Sequence, residues 1–430
     1  MIVLVSLVVR LIVVFATPHW VPRTDASDYN RIALSLSQHG EFPTSALAPA
    51  GGPTAFRPPA FPVVLAGLYK VLGGASPSTR WEAARILEAM LGALSVALIY
   101  LIARRLFSAA VARVTAAIAA VYPPLIMIGS SLMSESLFIP LVLGAVLCAL
   151  RARDRAPPNL WRWPLGAGLL TGLAALTRSN GVVLLLPLLF LVWAGRPRWS
   201  RRALREPAVL LAATVLVVAA WTIRNAAVFH QFVPLGTESG YALAGIYNPK
   251  AQARRDYPAL WVVPNDDIQR ALAGHPGSNE AQISNRLDTM AIRYVEHHPG
   301  AVARSGYWNG LRLFNLTGPS VERWLGQFEA YPRPLPVLSV YAFWIVGLLA
   351  LAGAATRAAR RAPAALWWIP ALILLSSLFI LGATRYRSPA DPFVILLAAL
   401  AISTGWTRLV RREPETAEGR PGESRTMDRR

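Results

Sequence analysis

The chain has 430 residues, of which 54% are hydrophobic and only 15% are charged, and its mean hydropathy is +0.41. Ordinary soluble domains carry about 25% charged residues, so the composition excludes that class. Because the apolar runs are continuous rather than alternating, they indicate an all-α polytopic membrane protein. The net charge of +20 comes almost wholly from arginine. We attribute it to cytoplasmic loops that follow the positive-inside rule, and we predict no nucleic-acid partner.

The apolar runs predict about ten transmembrane helices, with both chain termini in the cytoplasm. The predicted spans are 2–17, 84–103, 111–128, 132–150, 164–177, 181–194, 207–223, 336–354, 364–382 and 390–407. We interpret the first span as a retained anchor because no basic segment precedes it, and the true start of the chain stays open. The pair 164–177 and 181–194 is short, and a single broken, re-entrant element is the alternative.

The spans and the polar stretches between them divide the chain into regions. Residues 1–223 form a transmembrane core that includes the first outer loop, 18–82. Within that loop the apolar stretch 60–72 is too short to cross a membrane and predicts an interfacial helix. Residues 336–408 hold the C-terminal spans. Residues 409–430 are charged and contain Pro and Gly, which predicts a disordered cytoplasmic tail.

Residues 224–335, between spans 7 and 8, form one long outer segment. A stretch of this length is too long for a simple connector, so we predict a lid or a small domain over the membrane. A helix is expected over 281–297, with Ser278 or Asn279 as its N-terminal cap.

The two predicted faces of the membrane differ in the charged residues that they carry. The inner loops contain Arg104, Arg105, Arg113, Arg151, Arg153, Arg155, Arg162, Arg196, Arg198, Arg201, Arg202, Arg205, Arg357, Arg360 and Arg361. The outer loops and span ends collect Asp25, Asp28, Tyr29, Arg57, Glu135, Arg178, Asn180, Arg224, Asn225, Arg385, Tyr386 and Arg387. Side chains that only snorkel would occur on both faces, so this convergence predicts an aqueous site at the outer surface. Interface anchors are the alternative.

The run after the first span reads Asp25-x-x-x-Tyr29, followed by Ile32-Ala33 and Gly40-Glu41-Phe42. This arrangement resembles the first outer loop of the GT-C superfamily of membrane glycosyltransferases, with protein O-mannosyltransferases and the aminoarabinose transferase of lipid A as the nearest branches. The resemblance implies that Asp25 is the catalytic carboxylate. Ala26 departs from the pattern, in which Glu is common at this position. Asp28 could take the place of that Glu in space, or it could cap a helix that begins near Tyr29.

Further segments resemble the same family, in the same order along the chain. They are residues 56–62, 130–137, 176–181, 221–225 and 383–387. The likeness as a whole extends over most of residues 1–250 and the last spans. The resemblance implies transfer of a hexose or pentose from a polyprenyl-phosphate donor to a glycan, lipid or protein. It places this reaction at the outer face of a bacterial-type inner membrane, where lipopolysaccharide or another glycan would be modified.

The chemistry of such a donor fits the outer-face residues. Phosphate leaves readily, so transfer needs a base for the acceptor hydroxyl, such as Asp25, and cations for the phosphate charge. Arginine forks bind phosphate oxygens in pairs. The candidate phosphate ligands are Arg57, Arg178, Arg224, Arg385 and Arg387. Further site candidates are Asp28, Tyr29, Glu135, Asn180, Asn225 and Tyr386.

Two other functions stay open at this stage. A transporter or flippase of lipid-linked sugars would also need outer-face arginines, but it would not need Asp25 as a base. It should also carry charged residues deeper within its spans. A non-catalytic membrane scaffold that displays residues 224–335 would leave the outer polar cluster unexplained.

No cofactor is predicted with certainty. The chain has no nucleotide-binding glycine loop after a strand, no P-loop and no Gly-x-Ser-x-Gly elbow. His297 and His298 are adjacent, so they cannot share one helix face as metal ligands. We predict no metal site, with a divalent ion at Asp25, Asp28 or Glu135 as the alternative.

Overall fold

The computed structural model of the chain describes residues 1–153, 161–193, 201–275 and 277–410. Within these ranges the regular structure is helical, apart from one isolated antiparallel bridge between Thr44 and Pro53. The prediction of an all-α protein is confirmed. Arg155, Arg196 and Arg198 of the predicted inner loops lie outside the described residues, as do residues 411–430 of the predicted tail.

Helices α1 to α10 occupy the N-terminal half of the chain. They are α1 (Ile2–Phe15), α2 (Thr24–His39), α3 (Ala60–Leu72), α4 (Pro77–Leu106), α5 (Ala109–Val121), α6 (Pro123–Ile128), α7 (Glu135–Ala152), α8 (Arg162–Thr177), α9 (Leu185–Trp193) and α10 (Arg201–Phe229). Helix α3 has the predicted bounds. Helix α5 ends before Pro123, which lacks an amide proton and cannot continue a helix from the preceding turn. A 3₁₀ helix over Ser179–Leu184 joins α8 to α9, so the two short predicted spans are separate helices.

Helices α11 to α21 form the outer segment and the C-terminal part. They are α11 (Glu238–Ile246), α12 (Pro249–Ala253), α13 (Asn265–Leu272), α14 (Glu280–His297), α15 (Gly300–Leu313), α16 (Pro319–Phe328), α17 (Pro334–Ala354), α18 (Arg357–Arg361), α19 (Ala364–Leu378), α20 (Thr384–Arg387) and α21 (Asp391–Val410). Helix α14 is the one predicted over 281–297. Asn279 caps it, and Gln282 completes a reciprocal capping box.

Four helices in the described part of the chain are long and apolar enough to cross a membrane. They are α4, α7, Ala203–Phe229 within α10, and α17. Shorter apolar helices of 10–17 residues include α1, α5 and α19, and at this length they reach only about 15–25 Å. The protein is therefore an integral, multi-pass membrane protein, while the number of about ten spans stays a prediction.

The apolar core lies between the membrane helices of the two ends of the chain. Buried side chains of α4, α5, α7, α8, α17, α19 and α21 form one continuous cluster. Close helix contacts depend on glycine: a Cβ at Gly353 of α17 would lie 1.8 Å from the carbonyl oxygen of Leu397 in α21. Small residues at such contacts are typical of helices that pack within a membrane. This packing brings α20 and α21 to the N-terminal helices, and with them residue 385.

Arg10 and Glu88 are two of the charged side chains that are buried within the predicted spans. Arg10 of α1 donates hydrogen bonds to the carbonyl oxygens of Ser6 and Ala120, both at 3.1 Å. It is thus held within the bundle rather than snorkelling. Glu88 of α4 accepts hydrogen bonds from the backbone amides of Leu132 and Met133 at 2.8 and 2.7 Å. Both groups fix turns of neighbouring helices.

A buried carboxylate joins the first outer loop to the outer segment. Glu280, at the start of α14, accepts hydrogen bonds from the hydroxyls of Ser45, Thr54 and Thr237 at 2.6, 2.8 and 2.9 Å. It also accepts one from the backbone amide of Ala55 at 2.7 Å. The first outer loop is therefore not a free connector, because its second half is bonded to the segment that follows α10.

Candidate functional site

Asp25 lies in the first turn of α2, the helix that follows the first apolar helix of the chain. Its Oδ1 accepts a hydrogen bond from Nη2 of Arg57 at 2.5 Å, and its Oδ2 accepts one from Nη2 of Arg385 at 2.7 Å. One carboxylate thus bridges two guanidinium groups that come from opposite ends of the chain. The side chain of Asp25 is 22% exposed, so the bridge is open to the outside on one edge.

The start of α2 is strained. Thr24 has a φ of +44°, a region that β-branched residues adopt rarely and at a cost of about 1–3 kcal/mol. The helix therefore begins four residues before Asp28, and the interpretation of Asp28 as a cap for a helix starting near Tyr29 is wrong. Beginning at Thr24 puts Asp25 and Asp28 on neighbouring turns of one helix face, where both reach Arg57.

Arg57 precedes α3 and pairs with three carboxylates. Besides Asp25 it contacts Asp28, from Nε at 3.1 Å, and Glu238 of α11, from Nη1 at 3.3 Å. Its guanidinium group lies over the ring of Tyr29 at 5.3 Å from the centroid. The ring and the three acidic groups fix the plane of the guanidinium group.

Arg385, in α20, is the most enclosed cation of the site and is 4% exposed. It too pairs with three carboxylates: Asp25, Glu135 at 3.1 Å and Glu329 at 2.5 Å. Its guanidinium carbon lies 5.0 Å from the ring centroid of Tyr386. Each of the three guanidinium nitrogens therefore faces a different acidic group, so all three are engaged in an ion pair.

Arg178, directly after α8, completes the cluster. Its Nη1 lies 2.6 Å from Glu135 and donates to the hydroxyl of Ser134 at 3.1 Å. The phenol of Tyr29 donates to the same hydroxyl at 3.0 Å. Tyr386 lies beside this guanidinium as well, at 5.4 Å. The structure thus brings together seven of the predicted site residues. They are Asp25, Asp28, Tyr29, Arg57, Glu135, Arg178 and Arg385, with Tyr386 packed against them.

Arg224 and Asn225 lie in a different environment at the end of α10. Arg224 donates to Asn225 at 3.0 Å and to the carbonyl oxygen of Thr54 at 3.3 Å. Its guanidinium group lies over the rings of Phe42 and Trp221. None of these partners contacts Asp25, so the expected contribution of Arg224 to the same phosphate site has no support in this arrangement.

Arg387 and Asn180 also point away from Asp25. Arg387 pairs with Asp391 of α21 at 2.9 Å and donates to the carbonyl oxygen of Leu313 at 2.6 Å. These contacts lie in the buried interior, where Arg387 is 1% exposed. Asn180 donates to the hydroxyl of Ser376 at 3.1 Å. Both residues connect helices rather than facing the open edge of the cluster.

Sequence reasoning missed two acidic residues of the site, Glu238 and Glu329. Both belong to the outer segment, which was interpreted only as a lid or domain. Glu238 is the first residue of α11, and Glu329 lies between α16 and α17. Their position near the ends of the segment, where it rejoins the membrane helices, was the signal that could have found them.

Opposing effects act on the acidic groups. Burial tends to raise the pKa of Asp25, but the charges of Arg57 and Arg385 outweigh it and hold that pKa below its usual range. Glu329 differs, because burial raises its pKa and so does the charge of Asp25, while the charge of Arg385 and the hydrogen bonds from Arg385 and Thr24 offset this only in part. Asp25 is therefore strongly held as a carboxylate, whereas Glu329 gains a proton more readily than an ordinary glutamate.

The described residues contain no group of three or more His, Cys, Asp and Glu side chains in a metal-binding arrangement. The acidic groups of the cluster face guanidinium groups instead. In the described part of the chain, ion pairs link Arg57, Arg178 and Arg385 to Asp25, Asp28, Glu135, Glu238 and Glu329. The cations are thus fully compensated, and an anionic ligand must replace a carboxylate in order to bind.

The chain is similar to known membrane transferases. The sequence profile of the family described as dolichyl-phosphate-mannose-protein mannosyltransferase matches residues 56–223. The Archaeoglobus fulgidus oligosaccharyltransferase, in a complex with Zn and sulfate, superposes with a TM-score of 0.57 at 16% identity, over 96% of this chain and 50% of that chain. The same organism's AglB, with an inhibitory peptide and a dolichol-phosphate, gives 0.55 at 15% identity, over 98% and 52%.

The chain has the GT-C fold. The resemblance inferred from the sequence is thereby confirmed. The chain spans about half the length of the Archaeoglobus fulgidus structures that it matches. ArnT from Cupriavidus metallidurans bound to undecaprenyl phosphate gives a TM-score of 0.43 at 18% identity, over 94% of this chain and 78% of that chain. A comparison with curated protein sequences finds no match.

Proposed function

We propose that this GT-C protein is a membrane glycosyltransferase that takes a sugar from a polyprenyl-phosphate donor. The observation that carries the proposal is the bridge that Asp25 makes between Arg57 and Arg385 at the outer end of the helices. The family profile over residues 56–223 supports the same class of reaction. The proposal covers hexosyl and pentosyl donors, and a glycan, a lipid or a protein as the acceptor.

The donor phosphate would bind to Arg57 and Arg385, the two guanidinium groups that Asp25 now bridges. A phosphate presents pairs of oxygen atoms to arginine forks, as a carboxylate does. Arg178 stands close behind Arg385, since both pair with Oε1 of Glu135, and it adds positive charge near the leaving group. The ring of Tyr386 packs against both guanidinium groups and keeps them oriented. Fixed cations of this kind stabilise the charge that develops on a leaving phosphate.

Donor binding would also activate Asp25. A phosphate that engages Arg57 and Arg385 removes the stabilisation of the aspartate anion, so the pKa of Asp25 rises and the carboxylate becomes a better base. The acceptor oxygen then forms a bond to the anomeric carbon while its proton passes to Asp25. The bond between that carbon and the phosphate oxygen breaks, and its electron pair stays on the phosphate. A single displacement of this kind inverts the anomeric centre.

The proposal places the site on the outer face of an inner or plasma membrane. The arginine-rich short loops mark the opposite face as cytoplasmic, and with about ten spans both termini are cytoplasmic as well. Residues 224–335 would then lie outside the membrane, next to the site. No divalent metal is included in the proposal, since arginines supply the positive charge.

The transporter alternative requires charged residues along a path through the spans. The buried charges of Arg10, Arg85, Glu88 and Asp391 in the predicted spans are the candidates for such a path. Arg10, Arg85 and Glu88 are hydrogen-bonded to backbone groups of other segments, and Asp391 pairs with Arg387. Glu88 accepts a further bond from the hydroxyl of Ser136 at 3.0 Å. Side chains used in this way hold helix turns together. The transferase therefore accounts for more of the polar residues than the transporter does.

A transfer assay with purified protein in lipid nanodiscs tests the proposed function. Asparagine is nearly isosteric with aspartate but cannot accept a proton at neutral pH. Asp25→Asn should lower kcat by at least ~10²-fold, with expression and thermal stability close to wild type. A transporter or scaffold would show no sugar transfer in either form. Transfer by Asp25→Asn at the wild-type rate would contradict Asp25 as the base, and an effect on KM alone would indicate binding rather than catalysis.

A further inference from the structure

The end of the outer segment lies across the start of α2. We call residues 327–330 the strap. The indole nitrogen of Trp20 donates to the carbonyl oxygen of Ala330 at 2.8 Å, and the hydroxyl of Thr24 donates to Oε2 of Glu329 at 2.8 Å. The strap is therefore attached to both sides of the turn that leads to Asp25, and it adds one acidic side chain to the cluster.

Arg57 and Arg385, the two cations that Asp25 bridges, each also bind one carboxylate of the outer segment. Oε1 of Glu329 accepts from Nη1 of Arg385 at 2.5 Å, and Oε2 of Glu238 accepts from Nη1 of Arg57 at 3.3 Å. The two contacts are alike, since in both the outer segment takes the Nη1 edge while Asp25 takes Nη2. Glu329 and Glu238 are 20% and 29% exposed, so both lie at the open side of the cluster.

The backbone at the strap is strained on both sides of the contact. Thr24 has a φ of +44° and Ala330 a φ of +54°, a region in which side-chain-bearing residues are uncommon. Such a conformation persists only while its surroundings impose it. The contact between Glu329 and Arg385 is one of the interactions that maintain it, together with the hydrogen bonds from Trp20 and Thr24.

We propose that Glu329 and Glu238 set the affinity for the donor, because they occupy the edges of Arg385 and Arg57 that a lipid-linked phosphate takes in their place. The inference rests on the proposed function, since it names the residues with which the donor phosphate exchanges. A guanidinium group can direct its Nη1 edge to a phosphate oxygen or to a glutamate, but not fully to both. Neutralising either glutamate should therefore strengthen phosphate binding. If the glutamates only stabilise the site, neutralising either one should weaken phosphate binding instead.

Binding of an unglycosylated polyprenyl phosphate in nanodiscs measures this effect without turnover. Glu329→Gln keeps the shape and one acceptor oxygen but removes the negative charge. We expect its dissociation constant for the lipid phosphate to fall about tenfold, which corresponds to about 1.4 kcal/mol. Glu238→Gln should have a smaller effect in the same direction, because its contact with Arg57 is longer. Glu296→Gln, on the exposed face of α14, is the matched control and should change nothing.

The pH dependence of binding provides a second measurement. The charged groups that face Glu329 are Arg385 from α20 and Asp25 from α2, and Tyr331 is its neighbour on the same segment. Because burial raises the pKa of Glu329, this side chain takes up a proton before ordinary glutamates as the pH falls. The ratio of the wild-type to the Glu329→Gln dissociation constant should then decrease toward one. Using the ratio cancels the titration of the lipid phosphate itself.

The possible outcomes separate the inference from the function on which it rests. Tighter binding by Glu329→Gln, with melting temperature and control unchanged, supports the exchange. Equal or weaker binding by a folded Glu329→Gln variant overturns the exchange. If wild type binds the lipid phosphate in that case, the proposed transferase function is not contradicted. If no form binds, wild type included, both the proposed function and this inference are overturned.

Discussion

At the scale of single residues, the predicted arginines fall into distinct environments. Arg57, Arg178 and Arg385 share acidic partners around Asp25, whereas Arg387 pairs with Asp391 in the interior. In the cluster and in the interior alike, an arginine differs from a lysine, because only the guanidinium group of arginine contacts several oxygens at fixed angles. The function of each arginine therefore follows from its partners rather than from its place near the outer face.

Conservative substitutions should separate these roles. Arg385→Lys keeps the charge but loses the fork that reaches three carboxylates, and it should lower kcat/KM for transfer about 10²-fold, as the loss of one oxyanion ligand does. Arg387→Lys should instead lower the melting temperature and leave the KM for the donor close to wild type. Arg224→Lys is the control outside the cluster. A selective loss of donor affinity in Arg387→Lys would return that residue to the phosphate site.

The residue types of the site could be predicted, but the set of partners could not. Charge at predicted span ends was enough to single out Asp25, Arg57, Glu135 and Arg385, which the fold brings together. Glu238 and Glu329 were missed because their position near the ends of the outer segment indicates closeness to the membrane helices but does not identify their partners. Contacts over such separations are set by tertiary packing, which local patterns do not encode.

At the scale of elements, the first outer loop is held by a single buried carboxylate. Glu280 accepts bonds from Ser45, Thr54, Thr237 and the amide of Ala55, and thus ties α14 to the stretch that precedes Arg57. The bounds of helix α3 were predictable from its apolar stretch. The attachment of the preceding loop to the outer segment was not, because a glutamate that begins a helix is an ordinary N-terminal residue.

Replacing this carboxylate should loosen the loop. Glu280→Gln turns one acceptor oxygen into an amide group that faces donors, which leaves buried groups unpaired at a cost of about 1–3 kcal/mol. We expect a lower melting temperature and faster hydrogen exchange at the amide of Ala55, with Glu296→Gln unchanged. Exchange at wild-type rates in the Glu280→Gln variant would show that the loop is held by its apolar contacts instead.

At the scale of the whole molecule, the arrangement in the membrane follows from helices and charge together. The apolar runs predicted the class of protein and the order of its helices, since period and length are properties of the local sequence. Helix length alone does not give the number of membrane crossings, because α1, α5 and α19 are shorter than a bilayer core requires. The outer position of the site stays a prediction, which rests on the arginine-rich short loops.

Cysteine labelling of intact cells tests this arrangement. In a Cys148→Ala background, Glu296→Cys on α14 should react with an impermeant thiol reagent, because residues 224–335 are predicted outside. Ala355→Cys, between α17 and α18, should react only after the cells are permeabilised. Both positions are exposed in the structure. The reverse pattern would place the acidic and basic cluster in the cytoplasm and contradict the proposed donor side.

Asp25 and Arg385, which form one half of the bridge, are 360 positions apart in the chain. Ribosomes add about 5–20 residues per second, so Arg385 follows Asp25 by on the order of 20–70 s. During that interval Asp25 and Arg57 are already synthesised, but Arg385 is not. Under the proposed function, a chain that lacks α20 and α21 should therefore bind no lipid phosphate.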